Sequence, residues 1–172
     1  MLENFIRFTT VAVLALATTG AGAAPDIASG EYFNQPYLAG IKVVPAWNAG
    51  LLGAGFIIAD LDSGVRATHV DLLGRIVAGG YDFVNDDDDP DDDDDSITDG
   101  HGTASAGVIV GNWNGVGIGG IAPSAQILPV KITDHENLSS GDLIRKGFEF
   151  ATGNAGVRII LLDTVNVPLS AA

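Results

Sequence analysis

The 172 residues include no cysteine, which excludes a disulfide framework, a zinc–thiolate site and a thiol nucleophile. That length suits one domain of ordinary size, and 47% apolar residues are enough for a core. The net charge of −14 argues against nucleic acid as a partner, but it is local: nine of the 22 acidic residues lie between Asp86 and Asp95, interrupted by Pro90, and removing those nine from −14 leaves −5.

Residues 1–23 read as a secretory signal peptide. Arg7 and the amino terminus supply positive charge, Phe8 to Ala17 is apolar but too short to span a bilayer, and Ala21-Gly22-Ala23 fits the small-x-small cleavage pattern. The expected location is secreted or periplasmic. No later segment is long and apolar enough to be transmembrane, so no membrane partner is expected. Residues 24–35 read as an extended leader, and 36–172 as the folded unit. Phe56 to Asp62 is a near-continuous apolar run of strand length, as expected for a parallel strand buried on both faces. Asp62 closes it, at the end where ligands gather in open parallel sheets, and a carboxylate there is either a helix or turn cap or a functional group. Ile76 to Val84 contains a second, weaker strand. The aspartate run after it reads either as a solvated loop, since like charges repel, or as a hard-cation site.

His101 stands between Gly100 and Gly102, which leave no side chains beside the imidazole, so backbone can approach closely. The small and apolar residues Thr103 to Val110 predict a helix buried against a sheet with His101 at its start. With a carboxylate nearby, such a histidine serves as a general base. Asn112 to Gly120 is a glycine-rich loop, but no Lys-Ser/Thr follows and no helix opens, so it is not a phosphate cradle. Ile127 to Ile132 is a third strand if Pro129 falls at a bulge or edge. Ser139 or Ser140 caps a helix reaching about Thr152, with Leu143, Ile144, Gly147, Phe148 and Ala151 on one face; Asp142 favours its dipole and Gly153 its end. Val157 to Leu162 is a fourth strand. This order predicts an α/β fold, a doubly wound, mostly parallel sheet.

Four blocks together resemble the N-terminal part of the catalytic domain of the subtilisin-like serine proteases, the subtilases of peptidase family S8. Asp62-Ser63-Gly64-Val65 resembles the block of the catalytic aspartate, followed by His69 and Asp71-Leu72. Gly100-His101-Gly102-Thr103 with Ala106-Gly107 resembles the histidine block, and Gly115 to Pro123 the loop after its helix. The resemblance spans Gln35 to Leu162 and implies a subtilisin-like fold, truncated. It implies serine endopeptidase chemistry on protein or peptide substrates, with Asp62 and His101 as two members of an Asp-His-Ser triad.

The departures shape the functional expectation. No Gly-Thr-Ser-x-Ala block is present, Ser105 sits in the histidine helix where it reads as packing, and the family's oxyanion-hole Asn is absent from these residues. Asp163-Thr164-Val165 stands where the family has Ser-Leu-Gly, so the similarity fades there. No folding pro-domain fits between Ala24 and Gln35. The expectation is therefore a peptidase fragment inactive alone. The alternative is a non-catalytic, calcium-binding extracellular relative. For Ca²⁺, the resemblance implies a structural site from Asp71, the Asn114 side chain and the carbonyls of Asn112, Val116 and Ile118, with Gln35 as a further donor; a second would draw on Asp86 to Asp95. Oxygen-only donors of this kind suit Ca²⁺.

Overall fold

In the computed structural model, which describes residues 23–92, 100–134 and 139–163, three short helices precede the first strand. These are α1 (Gly30–Phe33), α2 (Pro36–Gly40) and α3 (Val44–Asn48). Then come β1 (Ile57–Asp62), a 3₁₀ turn at Val70–Leu72, β2 (Tyr81–Asp82) and α4 (His101–Val110). The order ends with β3 (Gln126–Lys131), α5 (Gly141–Gly153) and β4 (Val157–Leu162). Residues 1–22, nearly all of the expected signal peptide at 1–23, lie outside the described residues, as do residues 93–99. Among the described residues no helix is long and apolar enough to cross a membrane.

The four strands form one parallel sheet in the order β2-β3-β1-β4. Because successive strand side chains point to opposite faces, β1 and β3 each feed two cores. Ile58 and Ile127 pack with Ala106 and Val110 of α4. Ala59, Leu61, Leu128 and Val130 pack with Ala151 of α5. Helices on both faces make the sheet doubly wound, as expected. The crossover from β3 through α5 to β4 carries the chain past β1, so β1 is flanked by strands that follow it in sequence.

Pro129 sits inside β3, yet it breaks no bond. Ile127 bonds sideways to the Arg75–Val77 segment through both its N–H and its carbonyl, and Phe83 N–H donates to Lys131 O, so the odd-numbered residues of β3 face the β2 side. The pairs on that side are Ile76 with Ile127 and Tyr81 with Val130, so the outer chain spends two extra residues opposite the proline. The missing donor therefore faces an excursion and not a ladder. The same excursion shortens the expected strand over Ile76 to Val84 to Tyr81–Asp82.

Two expectations are corrected. Residues 24–35 are not extended: Ser29 Oγ accepts from Tyr32 N–H at 3.2 Å and starts α1. Tyr32 and the α2–α3 residues Leu38 and Trp47 then pack with Leu52, Trp113 and Ile121 in a third cluster. In α5 the cap is Ser140, whose Oγ accepts from Leu143 N–H, while Ser139 is buried and donates to Ile132 O. Phe148 is exposed, and Phe150 joins the core in its place.

Candidate active site

Asp62 ends β1 with 1% of its surface exposed. Ser63 N–H donates to its Oδ1 at 2.6 Å. Gly64 follows at φ 108°, and a Cβ there would fall 2.6 Å from the Asp91 carbonyl oxygen, so only glycine turns the chain here. The other half of the site starts at Gly100, which enters α4 from the left-handed region, at φ 107°. Gly102 then lies against the β1 turn so closely that a Cβ would stand 2.2 Å from Gly64 O and 3.1 Å from Asp62 Cβ. This crossing of two backbones brings His101 to Asp62. Its Nδ1 is 2.8 Å from Oδ1 and 2.9 Å from Oδ2, across 39 residues of sequence.

A carboxylate accepts and does not donate, so the Nδ1 proton belongs to the imidazole, and Nε2 is left as the acceptor. The His101 side chain is 38% exposed. Burial pushes the Asp62 carboxyl up, opposed by the hydrogen bonds from His101 and Ser63. For His101, burial pulls the imidazole down, but the hydrogen bond and charge of Asp62 outweigh it, Asp163 and Asp92 add to them, and the net shift is upward. The arrangement is a histidine held in one tautomer and biased toward accepting a proton. Asp62→Asn is therefore expected to lower the His101 pKa, measured by NMR titration of the ring; an unchanged value would show that the pair is not electrostatically coupled.

One residue of the aspartate run holds this site together. Asp92 is buried, with Oδ2 accepting from Thr103 N–H at 3.2 Å and from Thr103 Oγ1 at 2.6 Å. Its Oδ1 accepts from Ser63 Oγ, whose oxygen in turn accepts from Gly102 N–H at 3.0 Å. Arg66 donates to the Asp92 carbonyl, and Arg66 N–H to Thr103 Oγ1. Asp92 thus ties the start of α4 to the β1 turn. Nothing in a run of identical residues marks which member will be buried. The other described members do not converge: Asp86 accepts from the Tyr81 hydroxyl, Asp87 pairs through its backbone with Asp82, Asp88 and Asp89 are exposed, and Asp91 accepts from Lys131 Nζ through its backbone carbonyl.

The residues expected to hold an ion are brought together in part. Asp71 is buried under the 112–118 loop. Asn114 Nδ2 donates to Asp71 Oδ1 at 3.1 Å, and Ile118 N–H to Oδ2 at 3.4 Å. A Cβ at Gly117 would stand 2.1 Å from Oδ2, so the loop closes on the carboxylate only because that residue is glycine. Val116 is tied to Asn114 Oδ1 through its N–H. Asn112 joins through its backbone N–H to Asp71 O at 2.7 Å, while its side-chain oxygen accepts from Arg75. The leader supplies Glu31: its carboxylate, 7% exposed, accepts from Asn114 N–H at 3.1 Å. Gln35 is instead engaged with Glu31 O and the Tyr37 hydroxyl.

A model of the subtilase family matches residues 53–162. The minor extracellular protease Epr of Bacillus subtilis (strain 168) is 40% identical over 141 residues, covering 81% of this chain and 19% of that protein. The major intracellular serine protease of the same strain is 43% identical over 101 residues, covering 57% of this chain and 31% of that protein. Among solved structures, the Aeromonas sobria serine protease in complex with its chaperone is 31% identical with a TM-score of 0.53, over 65% of this chain and 18% of that one. The chain spans less than a third of the length of each of these proteins.

Proposed function

This chain belongs to the subtilase family, and from that premise we propose that it carries the acid–base half of a serine endopeptidase. The observation that supports this most is the pairing of Asp62 with His101 Nδ1 at 2.8 Å at the carboxyl end of a buried parallel strand. In this reading Asp62 holds the imidazole tautomer and stabilises the imidazolium. His101 Nε2 takes the proton from a serine hydroxyl as it attacks the carbonyl of a protein or peptide substrate, and returns it to the leaving amine. The 172 residues include no Gly-Thr-Ser-x-Ala block, so the chain alone hydrolyses no peptide by this route. We assign it to an exported protein on the strength of the signal-like sequence at residues 1–23.

A chimaera of residues 1–162 with the remainder of a subtilase catalytic domain tests the assignment. It is expected to cleave casein and to lose activity on the order of 10⁴-fold with Asp62→Asn. A chimaera indifferent to that change would sink the role of Asp62, and turnover by the unfused chain blocked by a serine-directed inhibitor would sink the proposed inactivity.

A calcium-binding role stands beside the peptidase reading, favoured by two buried carboxylates, Asp71 and Glu31, meeting at one loop. Asp71, Glu31, Asn114 and the carbonyls of Asn112, Val116 and Ile118 would hold Ca²⁺, which fits such oxygen donors and pins the loop without taking part in chemistry. Saturating Ca²⁺ is expected to stabilise the chain by about 2–3 kcal/mol at a hundredfold excess over Kd, read as a rise in melting temperature. Asp71→Asn should abolish the rise; a variant that keeps it places the ion elsewhere.

A further inference from the structure

We propose that Asp62, His101 and Asp163 form a binding site for one first-row divalent cation of the Zn²⁺, Co²⁺ or Mn²⁺ class. Asp163 follows β4. The β1–β4 register pairs Leu61 with Leu162, so the next residues, Asp62 and Asp163, come side by side at the carboxyl ends of two neighbouring strands. Asp163 N–H donates to Leu61 O at 3.3 Å, which carries the pairing one residue past β4. One carboxylate oxygen from each aspartate and one ring nitrogen of His101 all lie within 4.8 Å of one another. Metal–ligand bonds of about 2.0–2.2 Å place neighbouring donors about 3–4 Å apart, a spacing that small side-chain rotations reach from here.

The charge around the imidazole supports a cation independently. Asp60 stands one pleat behind Asp62 on the same face of β1. It is 1% exposed, and neither carboxylate oxygen has a hydrogen-bond partner among the described residues. A sheet end that gathers carboxylates around one imidazole, with one of them buried and unpartnered, is the electrostatic environment that a bound divalent cation relieves. The donor set selects the class: imidazole nitrogen suits Zn²⁺ and its neighbours, whereas Ca²⁺ takes oxygen alone. The partly exposed His101 ring gives the ion a way in. The site needs no nucleophile, so it stands whether or not the dyad serves a peptidase.

The test uses the full 172-residue chain in excess Ca²⁺, which occupies oxygen-only sites. Zn²⁺ is titrated by calorimetry and Co²⁺ by its visible absorption, with the His101 ring followed by NMR. The expected result is one ion per chain, a perturbed His101 ring and a Co²⁺ band of imidazole ligation. Asp163→Asn, which keeps the side-chain shape, should weaken binding at least about tenfold, and His101→Gln should remove the band. Asp88→Asn with Asp89→Asn should leave both unchanged. Binding that leaves the His101 ring untouched, or that survives Asp163→Asn at full strength, would overturn the proposal and put the ion on the aspartate run. A circular dichroism spectrum matching the parent qualifies each variant, and Asp163→Asn decides if His101→Gln fails to fold.

Discussion

Replacing Asp60 with valine is expected to stabilise the chain at pH 7 by about 1–4 kcal/mol, the range in which a buried, unsupported ionisable group gives way to apolar side chains. Asp60 lies in the middle of the central strand, paired in register with Pro129 on one side and Leu161 on the other. Burial pushes its carboxyl well above the usual aspartate range, and Asp62, Asp163 and Asp92 push it further the same way. The folded chain therefore holds a proton that the unfolded chain releases once pH exceeds the ordinary aspartate value of 3.8. More protons on the native state means that stability falls as pH rises, from the unfolded pKa up to the raised folded one. Asp60→Val removes that slope, and Asp60→Asn removes the titration but leaves an amide to satisfy, so the expected order of stability at pH 7 is Val, Asn, Asp. Urea unfolding between pH 4 and 8, in chelator, measures it. A valine variant less stable than the parent at pH 7, or with an unchanged pH profile, would contradict the description of Asp60 as unpartnered.

Gly102→Ala is expected to act in the opposite sense. Helix propensity alone favours alanine over glycine by roughly 0.5–1 kcal/mol. Here the added methyl would stand 2.2 Å from Gly64 O, a backbone atom of the turn that presents Asp62. Relief requires α4 and the β1 turn to part, which costs about 3 kcal/mol or more, the upper end of overpacking effects. It also separates His101 from Asp62, so the His101 pKa should fall together with stability. Gly141→Ala, at a helical glycine with nothing within 4 Å of the added Cβ, should stay within about 0.5 kcal/mol of the parent. Equal behaviour of the two alanine variants would refute the close crossing.

The contrast between Asp60 and Asp62 on one strand explains what the sequence does and does not disclose. Asp62 is legible because a polar residue at the carboxyl end of an apolar run, followed by Ser-Gly, stands where such a strand must stop; the His-bearing block is legible because its glycines answer to local geometry. Asp60 is hidden: inside the run it differs from Asp62 only in register, and whether a neighbour satisfies it depends on β4 and α4, which fold in from a distance. Glu31 is hidden for a related reason. Its role comes from the packing of α1 through Tyr32 onto Trp47 and Trp113, and a short mixed segment carries no periodicity from which to read that. Pro129 shows the reverse case. Its cost is plain from chemistry, and the fold meets it with an excursion in the neighbouring chain that no pattern in β3 foretells. Phe148 and Phe150 are separated by two positions on one helix, and the choice between them turns on the ring cluster of Tyr81 and Phe83 that Phe150 joins.

Asp92 has a consequence of its own, because the residue that anchors α4 belongs to the most repulsive stretch of the chain. In dilute buffer the field of each carboxylate reaches its neighbours along the whole run, with a Debye length of about 30 Å at 0.01 M against about 10 Å at 0.1 M. Mutual repulsion then pulls the anchor toward solvent, and with it the start of the histidine helix. Raising ionic strength quiets that pull without touching the buried hydrogen bonds, so the chain is expected to melt at a higher temperature in 0.1 M than in 0.01 M sodium chloride.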